Sequence, residues 1–123
     1  MKLNHLSLIL AVFCLATNVS EAEEPSPVLL IVQAWLKPDT KDIAAEYQAA
    51  FGPLAAAAGG KAVARHTALQ SLRSDTPPDY IAVLSFPSAD AVRGLFTSDE
   101  SKALDPLRKR LFEKVTLWIS PQS

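Results

Sequence analysis

Few side chains in this sequence are equipped for chemistry. Once the first 22 residues are set aside as a leader, His66 is the single histidine and no cysteine remains, because His5 and Cys14 both fall in the leader. An imidazole with an unperturbed pKa of about 6.5 suits a proton carrier. The phenol of Tyr47 and the guanidinium of Arg108 suit the steadying of developing negative charge, and Arg108 suits an anionic group on a ligand. We take His66, Tyr47 and Arg108 as the candidate catalytic set, with Phe51, Phe86 and Phe96 as apolar walls of a small-molecule site. Without thiols and with one imidazole, neither a thiol nucleophile nor a thiolate–imidazole zinc site can be assembled. No spacing of oxygen ligands points to a hard cation, and no cofactor is expected. Each candidate also has a packing interpretation. His66 fits a hydrogen-bonded core or edge position, Tyr47 a core ring with its hydroxyl at the rim, and Arg65 and Arg108 ion pairs with nearby carboxylates.

The elements that position these residues follow from periodicity. Val28 to Leu36 is a β-branched run whose even positions are all apolar, while its other side mixes Leu29 and Ile31 with Gln33 and Trp35. Pro38 ends this strand. Asp39 or Thr40 then caps a helix carrying Ile43, Tyr47, Ala50, Phe51, Leu54 and Ala58 at helical spacing. Gly52-Pro53 is expected to kink it, and Gly59-Gly60 to end it in the left-handed conformation. Lys61 to Leu69 alternates again, with Ala62, Ala64, His66 and Ala68 on one side. Gln70 to Pro78 is a loop, and Tyr80 to Phe86 a third strand. Pro87-Ser88 opens a second helical region, interrupted at Thr97-Ser98 and again at Asp105-Pro106, and Val115 to Ile119 closes the chain as the last strand. The order β, α, β, β, α, β is the split βαβ, ferredoxin-like arrangement: an α+β fold with a four-stranded antiparallel sheet and its helices on one face. Small side chains at Ala34, Ala62, Ala64, Ala68 and Ala82 leave volume beneath the first helix for a ligand.

Composition sets the context. Lys and Arg (12) nearly balance Asp and Glu (13), so the chain lacks the basic bias of a nucleic-acid binder. Arg108-Lys109-Arg110 reads as a solvated helix face. Lys2, the apolar stretch from Leu6 to Ala16 and the small residues Ser20 and Ala22 form a secretory leader, residues 1–22, with cleavage after Ala22. The stretch is too short for a membrane span of about 20 residues. A secreted or periplasmic product is expected: a short linker at 23–27, one domain at 28–120 and a tail at 121–123, with no membrane contact after cleavage. Cys14 follows Phe13, which does not suit a lipid attachment site. A disulfide-free domain of this size buries only about 60 to 70 % of its chain surface, and an indole ring buries on the order of 200 Å². The second sheet face, bearing Gln33, Trp35, Ser85, Thr116 and Trp118, therefore favours a covering partner, and the simplest is the same face of a twin subunit. The homodimer interface is placed on Gln33, Trp35, Thr116 and Trp118.

Tyr47 in the first helix, Pro53 before Gly59-Gly60, Arg65 in the next strand, Phe86-Pro87-Ser88, and the run Ser98 to Arg108 ending in Leu107-Arg108 together resemble the secreted branch of the domain-of-unknown-function 1330 family. That resemblance spans Val28 to Ile119 and implies a dimeric α+β barrel, two sheets packed face to face. The family pattern carries a Glu before Phe-Pro-Ser where this chain has Ser85, and a Glu-Gly where it has Gln70-Ser71. It carries a Trp-Tyr pair where this chain has Leu95-Phe96, and a Tyr where it has Ser101. Two readings stay open. One is an exported dimer that binds a small apolar or weakly acidic molecule. The other is a cofactor-free monooxygenase or isomerase acting on an aromatic or lactone-like substrate, with His66 as base. The carboxylates missing from those family positions and the single histidine favour the first, because proton shuttling uses a paired acid and base.

Overall fold

The strand with one wholly apolar side and one mixed side becomes one of the two inner strands of the sheet. β1 (Val28–Leu36) pairs antiparallel with β3 (Tyr80–Phe86) on one side and with β4 (Phe112–Pro121) on the other, and β2 (Lys61–His66) closes the far edge against β3, giving the order β2-β3-β1-β4. The structure, a computed structural model, describes residues 26–68, 70–73 and 75–122. The leader assigned to residues 1–22 lies outside the described residues.

α1 (Lys41–Ala57) follows β1, and α2 (Ala89–Thr97), α3 (Asp99–Lys102) and α4 (Asp105–Leu111) lie between β3 and β4. Caps explain the starts of α2 and α3, whereas Thr40, at the N-cap position of α1, donates its hydroxyl to the Lys37 carbonyl (2.7 Å) and makes no side-chain cap. Ser88 Oγ accepts from the Ala91 N–H (3.1 Å) at the start of α2, and Ser98 Oγ accepts from the Ser101 N–H (3.2 Å) at the start of α3. At the end of α1, Gly59 N–H donates to the Ala56 carbonyl and Gly60 N–H to the Ala55 carbonyl, with Gly59 at φ 89°. These two bonds make a Schellman ending. The helix runs without interruption through Pro53, where the sequence predicts a kink.

The even residues of β1 face the helices. Val28 and Leu30 share one buried cluster with Ala55 of α1, Phe86 of β3, and Val92 and Leu95 of α2. The odd residues face away, with Gln33 opposite Thr116, Trp35 opposite Lys114 and Ile31 opposite Trp118, so the alternation places these side chains correctly. Trp35 is engaged within its own protomer: its Nε1–H donates to the Thr76 carbonyl (2.9 Å), and Lys114 Nζ lies 4.8 Å from its ring centre. Trp118 is 60 % exposed.

Two bulges separate the structure from simple alternation. In β4, Leu36 pairs with Phe112 while Trp35 pairs with Lys114, so Glu113 is the additional residue. The strand begins at Phe112, three residues earlier than its pattern predicts, directly after the helical stripe of Leu104, Leu107 and Leu111. It also runs on through Pro121, one residue into the predicted tail. In β2, Ala62 pairs with Leu84 and Ala64 with Val83, leaving Val63 as the additional residue. An extra residue reverses the facing of everything after it. Arg65 therefore lies opposite Ala82, and His66 opposite Ile81. This corrects the expectation that His66 shares a side with Ala62. β2 also ends at His66 rather than at Leu69.

Candidate functional site

A cavity of about 500 Å³ lies between the sheet and its helices. Its floor is apolar and low, made by Leu30 and Val32 of β1, Ala62 of β2, Ala82 and Leu84 of β3, and Leu117 of β4. The alanines keep that floor from filling the space. Above it, Tyr47 and Phe51 stand one turn apart on α1 with their rings stacked (centroids 5.4 Å, planes within 8°), as i, i+4 neighbours on one helix face can. Phe96 of α2 continues this wall at 5.7 Å from Phe51, and Phe112 meets Tyr47 edge-on at 5.6 Å. Of the six residues proposed from sequence, Tyr47, Phe51, Phe96 and Arg108 are brought together here.

The other two are elsewhere. Phe86 is buried in the core cluster behind the cavity, and its ring presses on Gly60 so closely that a Cβ there would lie 2.7 Å from Phe86 Cζ. His66 stands on the edge strand, opposite Ile81 on the helix-free face, exposed and absent from the cavity wall.

Arg108 is a structural hub. Its Nε–H donates to the Tyr47 hydroxyl (3.1 Å), Nη2 to Ser101 Oγ (2.7 Å), and Nη1 to both the Ser101 carbonyl (2.7 Å) and Asp105 Oδ1 (2.9 Å). Ser101 is completely buried, so α3 and α4 are tied to α1 through one guanidinium. Four of the five N–H donors of this side chain are thereby engaged. The sequence pointed to Arg108 but not to Ser101, because a serine in a short helix carries no local sign of total burial.

Gln48, Asp105, Tyr80 and Arg65 also line the cavity. Tyr80 enters from β3, and Arg65 from β2 places its guanidinium carbon 4.2 Å from the centre of the Tyr80 ring. Among the described residues Arg65 has no hydrogen-bond or ion-pair partner. Sequence alternation assigns it to the face opposite Ala62 and Ala64, and only the bulge brings it round.

Burial pushes the Tyr47 phenol above its ordinary value, with the hydrogen bond and charge of Arg108 pulling the other way. Burial likewise pushes Tyr80 up, opposed by the charge of Arg65. Both hydroxyls stay protonated at neutral pH. These are the protein's two tyrosines, so tyrosinate absorbance reports on this cavity alone. In an alkaline titration both are expected to ionise above the ordinary value of about 10, and in denaturant at that value. A raised native pKa means that the native state holds its protons more tightly. The associated stability is complete below about pH 10 and is lost as pH rises through the native values. A native midpoint at or below the denatured one would show that the rings are not desolvated.

A four-stranded antiparallel sheet with helices on one face and a bare second face defines a ferredoxin-like α+β protein. Within that class the chain belongs to the family described as Domain of unknown function (DUF1330), which matches residues 27–120. Among solved structures it is similar to a protein of unknown function from Rhodopseudomonas palustris (18 % identity, 88 % of this chain and 92 % of that chain covered, TM-score 0.71). It is also similar to a dimeric protein of unknown function with a ferredoxin-like fold from Bacteroides fragilis (16 %, 78 % and 96 %, 0.54). A third similar structure is a hydroxynitrile lyase from Passiflora edulis (18 %, 81 % and 96 %, 0.61). At these identities the likeness is one of fold. No curated protein matches the chain.

Proposed function

We propose that this protein is an exported homodimer that holds a small apolar or weakly acidic molecule between its first helix and its sheet. The observation that carries this reading is the cavity itself, an aromatic wall of Tyr47, Phe51 and Phe96 over an apolar floor kept low by Ala62 and Ala82. Its volume falls within the range of about 300 to 1,000 Å³ common to small-molecule sites. Binding is favoured over turnover because the one histidine of the mature chain is outside the cavity and both phenols there are held in their neutral form. The carboxylate on the cavity wall, Asp105, is engaged by Arg108 at 2.9 Å, which disfavours it as the base that proton shuttling needs. The leader supports export. Dimerisation through the helix-free face is supported by Trp118, which a monomer leaves largely in water, and by the similar Bacteroides fragilis protein, described as dimeric. Gln33 and Thr116, joined across β1 and β4 by a 2.9 Å hydrogen bond, and Trp35 belong to the same proposed interface.

Native mass spectrometry of protein purified from its own compartment tests all three parts. The expected species is a dimer of chains beginning at Glu23 and carrying a bound small molecule. A retained Met1, a monomer, or ligand-free protein would each remove the corresponding part. Trp118→Asp is expected to turn the dimer into a monomer by light scattering at micromolar concentration, with the circular dichroism spectrum unchanged. Trp118 is a sharper probe than Trp35, whose ring already serves its own protomer. An intact dimer would show that another face pairs.

A further inference from the structure

Resting on the cavity reading above, we infer that Arg65 is the residue that reads the charge of the bound molecule, and that the preferred ligand class is a flat, monoanionic aromatic carboxylate. The β2 bulge makes this possible. Without Val63 as an additional residue, Ala64 would stand opposite Ala82 and His66 opposite Tyr80, leaving Arg65 on the far face. With it, Arg65 is paired with Ala82 and lines the cavity.

The neighbouring cation is already committed. Arg108 directs its donors to Tyr47, Ser101 and Asp105, all within the protein. Arg65 instead lies against the Tyr80 ring at 4.2 Å. That contact uses none of the guanidinium N–H donors in a hydrogen bond within the described residues, so the fork that matches a carboxylate is uncommitted. With Arg65 at one end and the stacked rings of Tyr47 and Phe51 along the helix side, the cavity suits a planar apolar body bearing a single carboxylate. Asp105, also on the cavity wall, disfavours a second negative charge.

The test compares 2-naphthoate with 2-naphthamide, which has similar shape and no charge, by calorimetric titration of the full purified protein, its Arg65→Met and Arg65→Lys variants, and the cavity-filling Ala82→Phe variant. The wild type is expected to prefer naphthoate by about tenfold, the scale of a hydrogen bond to a charged group at a partly open site. Arg65→Met is expected to abolish that preference by weakening naphthoate alone. Arg65→Lys should retain part of it, because an ammonium keeps the charge but not the fork. Ala82→Phe should weaken both compounds. Equal binding of the two compounds by the wild type, or an undiminished naphthoate preference in Arg65→Met, overturns the role of Arg65 while the cavity stands. Failure of both compounds to bind, or binding indifferent to Ala82→Phe, overturns the cavity reading and this inference with it.

Discussion

Phe86→Ala is expected to lower the unfolding free energy by about 3–5 kcal/mol, the range for deleting a buried aromatic ring. The residue is 2 % exposed and packs with Val28, Leu30, Ala55, Val92 and Leu95, so its loss opens a void where α1 and α2 meet the sheet. The void cannot close from the side of Gly60. That residue already lies under the ring with no side chain, in the last bond of the Schellman ending, donating to the Ala55 carbonyl. For a domain whose total stability falls within about 5–15 kcal/mol, this is a large fraction. Urea unfolding followed by circular dichroism measures it. A loss under about 1 kcal/mol would mean that the core does not depend on this ring. Because Phe86 stands behind the cavity, the protein that remains folded is expected to bind its ligand with little change.

Arg108→Met is expected to cost about 3 kcal/mol, for a different reason. The side chain is only 19 % exposed, and methionine keeps much of its apolar length, so packing is largely retained while the hydrogen bonds vanish. Ser101 Oγ and its carbonyl lose their donors in a fully buried setting, and the Tyr47 hydroxyl loses its own. A stranded buried acceptor costs about 1–3 kcal/mol. The Asp105 contact adds little, because that carboxylate is more than half exposed. Arg108→Lys is expected to recover only part, since one ammonium cannot span Ser101 and Tyr47 as a planar fork does. Removing Arg108 also removes the influence that lowers the Tyr47 pKa, so the phenol should ionise at still higher pH. An Arg108→Met protein with unchanged stability and an unchanged tyrosine titration would show that the network is not formed in solution.

The same contrast between core and site separates what could be read from residues alone. β1 and β3 have the limits that alternation assigns them, and the helix breaks fall where Gly59, Ser98 and Asp105 predict. Three aromatic wall residues, Tyr47, Phe51 and Phe96, reach the cavity as expected because helical spacing puts them on the sheet-facing side of α1 and α2. Phe86 does not, since a residue known to point toward the helices can still end either under a helix or beside an opening between helices. That choice depends on where α1 and α2 sit over the sheet, a matter of packing between segments distant in the chain.

By itself, then, the sequence determined the order of elements, the facing of β1 and the ferredoxin-like arrangement, all of which rest on local chemistry and on the period of apolar residues. Only the tertiary structure decided which residues after Ala62 look into the cavity. One additional residue at Val63 exchanges His66 for Arg65, and nothing in the run Lys61 to His66, with no glycine or proline, announces it. The physical reason is that a bulge is a property of the pairing between β2 and β3. It exists only once both strands are in place.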